Sequence, residues 1–222
     1  MKRLQRFSET GGTYLDIGAN IGLTTLPVAQ NPLIRCFAFE PEPTNFGNLQ
    51  ENIRRNIRHK NVTLYQLALL DRDGFVPFGL SDDGNLGDHR VVTTSHHGRR
   101  IIQVAAAPLD RLNLPITGQL AIKIDAQGAE PAIILGGLET FAKANFVVLE
   151  FYPYMIEQRG GDPDIIFDYV AGFERVTLIK GEGAEDLSFS SAAIGYVMLR
   201  QIFEESRLDE AIYFDVYAYR NI

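Results

Sequence analysis

The turn Asp16-Ile17-Gly18-Ala19-Asn20-Ile21-Gly22 limits what this chain can fold into. It follows a short apolar run, Tyr14-Leu15-Asp16-Ile17, and leads into a helical stretch that continues to about Gln30, where Asn31-Pro32 stops it. A strand that runs through glycines into a helix opens a β-α-β unit. Gly18 permits the tight turn and the close approach of a ligand to the backbone. Gly22 permits close packing of helix on sheet, and Asn20 is one of the few non-glycine residues that tolerates a left-handed conformation. The glycines are spaced Gly-x-x-x-Gly, not Gly-x-Gly-x-x-Gly, and Asp16 stands two residues before the first. A carboxylate there would repel the pyrophosphate of a dinucleotide but would accept hydrogen bonds from an ammonium group. The spacing therefore favours an amino-acid-bearing cofactor over NAD.

Beyond this turn, short apolar strands alternate with helical stretches, which predicts an α/β fold with a largely parallel sheet. The second strand is Arg35 to Glu40, and the next helix, after Pro41-Glu42-Pro43-Thr44, runs to about Arg58. Leu49, Ile53 and Ile57 recur at four-residue spacing and mark its buried face. Further strands are expected at Val62 to Ala68, Leu120 to Asp125, Phe146 to Phe151, Glu174 to Lys180 and Ile212 to Tyr219. Helices are expected at about 131–136, 139–143, 164–171 and 198–206. Glu40 ends the second strand, 22 residues after Gly18. An acidic side chain at that place in a doubly wound sheet can accept both hydroxyls of a ribose.

Composition narrows the function classes. The chain has 222 residues, of which 45% are apolar and 22% charged, which fits one domain over residues 1–222. The net charge of -7, from 28 acidic and 21 basic side chains, argues against a nucleic-acid groove as the main surface. No stretch reaches the ~18–20 apolar residues of a membrane span. Met1-Lys2-Arg3 is followed by no apolar core of a secretion signal, so the expected setting is cytoplasmic. The lone cysteine, Cys36, lies in the apolar run Cys36-Phe37-Ala38-Phe39 and reads as a core residue. Two turn signals, Asp73-Gly74 and Asp83-Gly84, predict β-hairpins in an inserted segment over about 75–104. Its polar part, Ser81 to Arg100, reads as exposed and carries His89, His96, His97, Arg90, Arg99 and Arg100. Residues 152–222 are expected to add substrate-side elements. The sequence fixes no oligomeric state and requires no metal.

Four stretches resemble the FkbM-like branch of the class I S-adenosylmethionine-dependent methyltransferases: Leu15 to Gly22; Ala38-Phe39-Glu40-Pro41-Glu42-Pro43-Thr44-Asn45-Phe46; Ala68 to Gly74; and Ile122-Lys123-Ile124-Asp125-Ala126-Gln127-Gly128-Ala129-Glu130. Weaker echoes are Pro108 to Leu112 and Val148-Leu149-Glu150. The resemblance implies a Rossmann-like, doubly wound, seven-stranded sheet with one antiparallel strand near its edge. It implies S-adenosylmethionine as cofactor and O-methylation of a hydroxyl on a small metabolite, sugar or glycan. Gly18, Asn20 and Gly22 would frame the methionine part, Glu40 would hold the ribose with Pro41 nearby, and Leu67 and Ala68 would flank the adenine. The family usually reads Asp-x-Glu-Gly where this chain has Asp125-Ala126-Gln127-Gly128. That departure keeps open a cofactor-binding but catalytically silent module; a NAD-dependent enzyme is the more distant alternative. The first strand begins after only about a dozen residues, so the chain is either minimal or a piece of something longer.

Methyl transfer to an alcohol is helped by a positioned proton acceptor. Asp125, at the end of its strand beside Asp16, is the first candidate and also a member of the cofactor site. Lys123 alternates with Asp125 and shares its face. Glu130, beside Pro131 at a helix start, either stabilises that helix end or takes part in catalysis. Glu150 ends the fifth strand and either faces the substrate or lies at the rim. The cluster Phe151-Tyr152-Pro153-Tyr154 either lines an acceptor pocket or covers the helix behind it.

Overall fold

The structure is a computed structural model that describes residues 9, 11–81, 89–92, 100–179, 187–189 and 192–220. His96, His97 and Arg99 lie outside the described residues.

The floor of the molecule is laid by β1 (Gly12–Ile17), β2 (Ile34–Phe39), β3 (Val62–Tyr65) and β8 (Gln119–Ile124). β1 pairs in parallel with β2 on one side and β8 on the other. β1, β2 and β8 are almost wholly buried, as expected for parallel strands covered on both faces, whereas the edge strand β3 is only partly covered. Beyond β8 the sheet continues through β9 (Phe146–Phe151), β12 (Phe214–Tyr219) and β10 (Arg175–Ile179). β12 is antiparallel to both neighbours. These seven strands and the antiparallel one near the edge match the expectation. A three-residue strand, β11 (Leu187–Phe189), extends that edge as an eighth.

Helix α1 (Thr25–Ala29) is shorter than the sequence suggests, because the turn itself occupies residues up to Thr24. α2 (Pro43–Asn56) starts on Pro43 and is capped by Glu42, whose carboxylate accepts from the Asn45 N–H at 2.6 Å. Leu49 is fully buried and Ile53 half-buried on the predicted face, while Ile57 has already left the helix. Cys36 is buried, and burial, with the Asp16 charge adding to it, pushes its thiol up to about 12.

The run expected as one strand over Val62 to Ala68 divides between two sheets. β3 ends at Tyr65, and β4 (Ala68–Leu69) joins β5 (Gly74–Gly79), β6 (Arg90–Val91) and β7 (Ile101–Ala107) in a second, four-stranded sheet. β5 pairs antiparallel with β7 and with β6, but β7 lies between β4 and β5, so no hairpin closes at Asp73-Gly74, and Asp83-Gly84 lies outside the described residues. The insertion is not simply exposed, however. Val76, Phe78, Val91 and Val104 are buried in the same apolar cluster as Leu15, Ile122 and Leu149 of the main sheet.

The remaining helices are α3 (Glu130–Leu135), α4 (Leu138–Phe141), α5 (Pro153–Arg159), α6 (Asp164–Ala171) and α7 (Ala192–Ser206). The aromatic cluster, read as either a pocket lining or a cover over the helix behind it, opens α5. Phe151 goes into the core and Pro153 opens the helix; neither Tyr152 nor Tyr154 lines the cleft described below. Among the described residues no helix is long and apolar enough to cross a membrane.

Candidate active site

β1 feeds α1 on the β2 side, while β8 returns on the other side, so the chain's direction of winding reverses between β1 and β8. Ligands of open α/β sheets bind outside the carboxyl ends of the strands at such a point. A cleft lies there, enclosing about 660 Å³ with its open mouth.

The Gly-rich turn builds one side of the cleft. The N–H groups of Gly18 and Ala19 both donate to the Phe39 carbonyl, at 3.1 and 2.9 Å, and draw the turn over β2. Gly18 has φ +79, and a Cβ there would stand 1.9 Å from the Asp125 carbonyl oxygen. Its close approach is to the neighbouring strand end as well as to the cleft it lines. Asn20 adopts the expected left-handed conformation, φ 50. This aims its N–H at Glu40 Oε2, 2.8 Å away. The Glu42 N–H donates to Glu40 Oε1 at 2.9 Å. Each carboxylate oxygen thus has one backbone donor and keeps further acceptor capacity toward the cleft. Burial pushes the Glu40 carboxyl up to about 7, against the pull of those two N–H groups.

Seven of the residues read from the sequence as cofactor-binding line this one cleft: Gly18, Asn20, Glu40, Pro41, Leu67, Ala68 and Asp125. Two do not. Asp16 is wholly buried; its Oδ2 accepts from the hydroxyls of Thr24 at 2.6 Å and Thr25 at 2.5 Å. Its Oδ2 thus pins the turn to the start of α1, while its Oδ1 lies 3.8 Å from Lys123 Nζ. Gly22, φ +94, packs against the Leu49 side chain of α2, where a Cβ would come within 2.8 Å of Cδ1. Its glycine requirement comes from its positive φ and from the close contact of the turn with α2.

Of the residues read as catalytic, Asp125 lines the cleft, Lys123 bonds to it directly, and Glu150 connects to it through Gln127. Lys123 Nζ donates to Asp125 Oδ2 at 3.1 Å and to the Gly18 carbonyl at 3.4 Å, and lies 3.8 Å from Asp16 Oδ1. Burial alone would lower the Lys123 ammonium, but Asp125 and Asp16 outweigh it and hold the group above its ordinary value. Burial likewise works against charge on Asp125, but Lys123 and hydrogen bonds from Lys123 and Gln127 hold that carboxyl below its ordinary value. Gln127 lines the cleft in a left-handed conformation, φ 53. Its amide donates to Glu150 Oε2 at 3.0 Å and reaches Asp125 Oδ1 at 3.5 Å. Burial first, then the charges of Asp125 and Glu130, push Glu150 up to about 9. Glu130 lies away from the cleft. It is fully buried at the start of α3, and its Oε1 accepts from the Ala126 N–H at 2.9 Å. The structure thus places it in the helix-end role.

Several neighbours of the cleft went unread in the sequence. Asp215 of β12 stands opposite Glu150 in register, and burial raises its carboxyl above its ordinary value. An acid inside the apolar strand Phe214 to Tyr219 was the available signal. Phe78 and Val91 of the second sheet wall the cleft, and His89, which the sequence placed in an exposed polar insertion, joins them. The Ser81 N–H donates to His89 Nδ1 at 2.9 Å, which leaves the ring proton of the neutral imidazole on Nε2.

Comparison with known proteins places this geometry. Residues 16–177 match the methyltransferase FkbM domain. The chain is 28% identical over 185 residues to the 2-O-methyltransferase NoeI of Sinorhizobium fredii, covering 73% of this chain and 72% of that protein. It is 25% identical over 151 residues to the hexuronic acid methyltransferase AglP of Haloferax volcanii, covering 65% of this chain and 58% of that protein. Among solved structures it is similar to an rRNA methylase from Streptococcus thermophilus, with TM-score 0.49 and 10% identity over 99% of this chain and 93% of that one. The chain belongs to the FkbM methyltransferase family and is an S-adenosylmethionine-dependent methyltransferase.

Proposed function

We propose that the chain O-methylates a hydroxyl of a small metabolite, sugar or glycan, with S-adenosylmethionine held in the cleft between β1, β2 and β8. The observation that carries this reading is Glu40, a carboxylate fixed by two backbone N–H bonds with acceptor capacity left toward the cleft. Glu40 would take the two ribose hydroxyls, the Gly18–Asn20 turn would border the methionine part, and Leu67 and Ala68 the adenine. When bound, this cofactor supplies a methyl group on a positively charged sulfur.

This chain's own residues then orient the acceptor and hold its proton. Asp125 is ionised near neutral pH and accepts from the acceptor hydroxyl. A carboxylate held this low is a weak base, which suffices because an alcohol oxygen gaining a bond to carbon becomes strongly acidic. Lys123 fixes Asp125 from behind. Glu150 keeps its own proton at neutral pH, and the Gln127 amide ties it to Asp125. In this reading Gln127 donates to two carboxyls where the family's usual Glu would add a third, and this hold on Asp125 supports an active enzyme over a silent module. A reducing, cytoplasmic setting suits the single buried thiol of Cys36.

The test is calorimetric titration with S-adenosylmethionine and, separately, with NAD, followed by incubation with saccharide acceptors and a labelled methyl donor. Binding of S-adenosylmethionine alone and a base-stable methyl ether in the product are expected. Binding of NAD alone, or label released by mild base as from an ester, refutes the reading.

A further inference from the structure

The second sheet reaches the cleft with one titratable side chain, His89. β5 and β6 are paired so that Phe78 stands opposite Val91. Alternation along the strand puts His89 on the same side as Val91, and all three line the cleft. Main chain fixes the ring from behind. The Leu80 N–H donates to the Arg100 carbonyl and continues the line of β5. The next residue, Ser81, then donates its N–H to His89 Nδ1 at 2.9 Å, with its hydroxyl 3.2 Å from the same nitrogen. Nδ1 is thus the acceptor, and the neutral ring presents an N–H at Nε2, on the edge away from Ser81.

The cleft has two chemically different ends. Phe78, Val91 and Ile133 belong to the apolar cluster on the Ile124 face of the main sheet. With Leu67, Ala68 and Leu69 they make one end apolar, and His89 stands among them. The Asp125 carboxylate belongs to the other face: it bonds to Lys123, which alternates with Ile124 and also approaches Asp16 and the Gly18 carbonyl. A cofactor whose charged methionine part borders the Gly18–Asn20 turn buries its flat, uncharged base at the apolar end.

We propose that His89 determines which base the cofactor carries: its Nε2–H donates to a ring nitrogen of the adenine, which Phe78 and Val91 help to enclose. The inference rests on the methyl-transfer reading above and assigns the second sheet to the cofactor, not to the methyl acceptor. The faces of adenine are apolar, and its acceptors are ring nitrogens on its edge. A slot of apolar side chains with one oriented N–H matches both features. A ring nitrogen is as good an acceptor as a neutral group that takes this proton in the unliganded protein, so binding requires an exchange of partners and no vacancy.

The test is calorimetric titration with S-adenosylhomocysteine and its 1-, 3- and 7-deaza analogues, each of which replaces one ring nitrogen by C–H. One analogue is expected to bind roughly tenfold more weakly than the parent, the effect of leaving a partly buried N–H unmet. In His89→Phe the parent should weaken by a similar factor and the discrimination against that analogue should vanish. His89→Gln can place an amide N–H near Nε2 and should keep part of the discrimination. His89→Asn keeps an acceptor for Ser81 but not that donor and should lose the discrimination, which a purely structural bond to Ser81 would not predict. Where His89→Phe does not fold, His89→Asn is read in its place. The proposal is overturned if all three analogues bind like the parent, or if the discrimination persists unchanged in folded His89→Phe or His89→Asn. Failure of S-adenosylhomocysteine to bind at all overturns the methyl-transfer reading, and this inference with it.

Discussion

Glu40 makes cofactor affinity depend on pH in a direction that can be worked out. Burial raises its carboxyl from 4.5 to about 7 in the free protein. At pH 6 most of the population therefore carries a proton there. A ribose held by two hydroxyls needs both carboxylate oxygens as acceptors, so binding favours the ionised form. Affinity should then rise between pH 6 and pH 8. With a free-state value near 7 and a lower one in the complex, the span is about tenfold, or roughly 1.4 kcal/mol. The assay is calorimetric titration with S-adenosylhomocysteine at pH 6, 7 and 8, in buffers of different ionisation enthalpy so that proton release is counted. Glu40→Gln should flatten the pH dependence and weaken binding by ~1.5–3 kcal/mol, the worth of a hydrogen bond to a charged group. The same residue shapes stability. A carboxyl whose folded value is raised contributes fully below pH 4.5, and that contribution is lost as pH rises through about 7. The ceiling is about 3 kcal/mol. Glu130 also sits at about 7 and acts on the melting curve but not on the cleft, which is why the titration is the deciding measurement. A pH-independent affinity in the unmodified protein, or an unchanged slope in Glu40→Gln, would refute the reasoning.

Gly18→Ala should cost at least ~2–4 kcal/mol, because a Cβ at φ +79 would stand 1.9 Å from the Asp125 carbonyl oxygen; thermal melting reads it. Asp16→Asn should lower the melting temperature yet change S-adenosylhomocysteine affinity less than about threefold, since Asp16 holds Thr24 and Thr25. A much larger loss of affinity in folded protein would return Asp16 to the ligand. Lys123→Met removes the cation beside Asp125 and Asp16 and should cost ~3–5 kcal/mol at pH 8. The cost should shrink toward pH 4, because in the variant Asp125 has lost the cation that opposes its burial and takes up a proton more readily, and an equal loss at both pH values would argue for packing instead. Gln127→Glu exchanges a donor for a third carboxyl beside Asp125 and Glu150. Its raised folded-state value should make the variant progressively less stable than the parent above pH 7 in melts from pH 5.5 to 8.5.

The Gly-rich turn and Glu40 were legible in the sequence because their chemistry is local. A positive φ at Asn20 and an acid at a strand end follow from a few neighbouring residues. The direction of the Asp16 side chain was not, since it depends on two threonines on the far side of the turn. The division of the third strand after Tyr65 was hidden by an unbroken apolar pattern, because both sheets bury the same residue types. Helix α5 was hidden behind its aromatic start, although Pro153 at a first helical position followed by Met155, Ile156 and Arg159 has helical spacing. Glu130 illustrates a genuine ambiguity: an acid before Pro131 reads equally as a helix-end group or a catalytic one, and only its complete burial decides.

The position of β12 sets a timetable for folding. Residues 214–219 are the last of the sheet's strands to be made, yet they lie between β9 and β10 and hydrogen-bond to both. Until they arrive, β9 on the ribosome has an open edge of apolar backbone, Phe146 to Phe151, with nothing to close it. Non-local pairing of this kind is slow, and unpaired edges invite association. The cofactor cleft, by contrast, draws its lining from residues 17–133 and is synthesised long before the sheet is sealed. Early cofactor capture by the growing chain would therefore steady the half already made while the other half waits for its central strand.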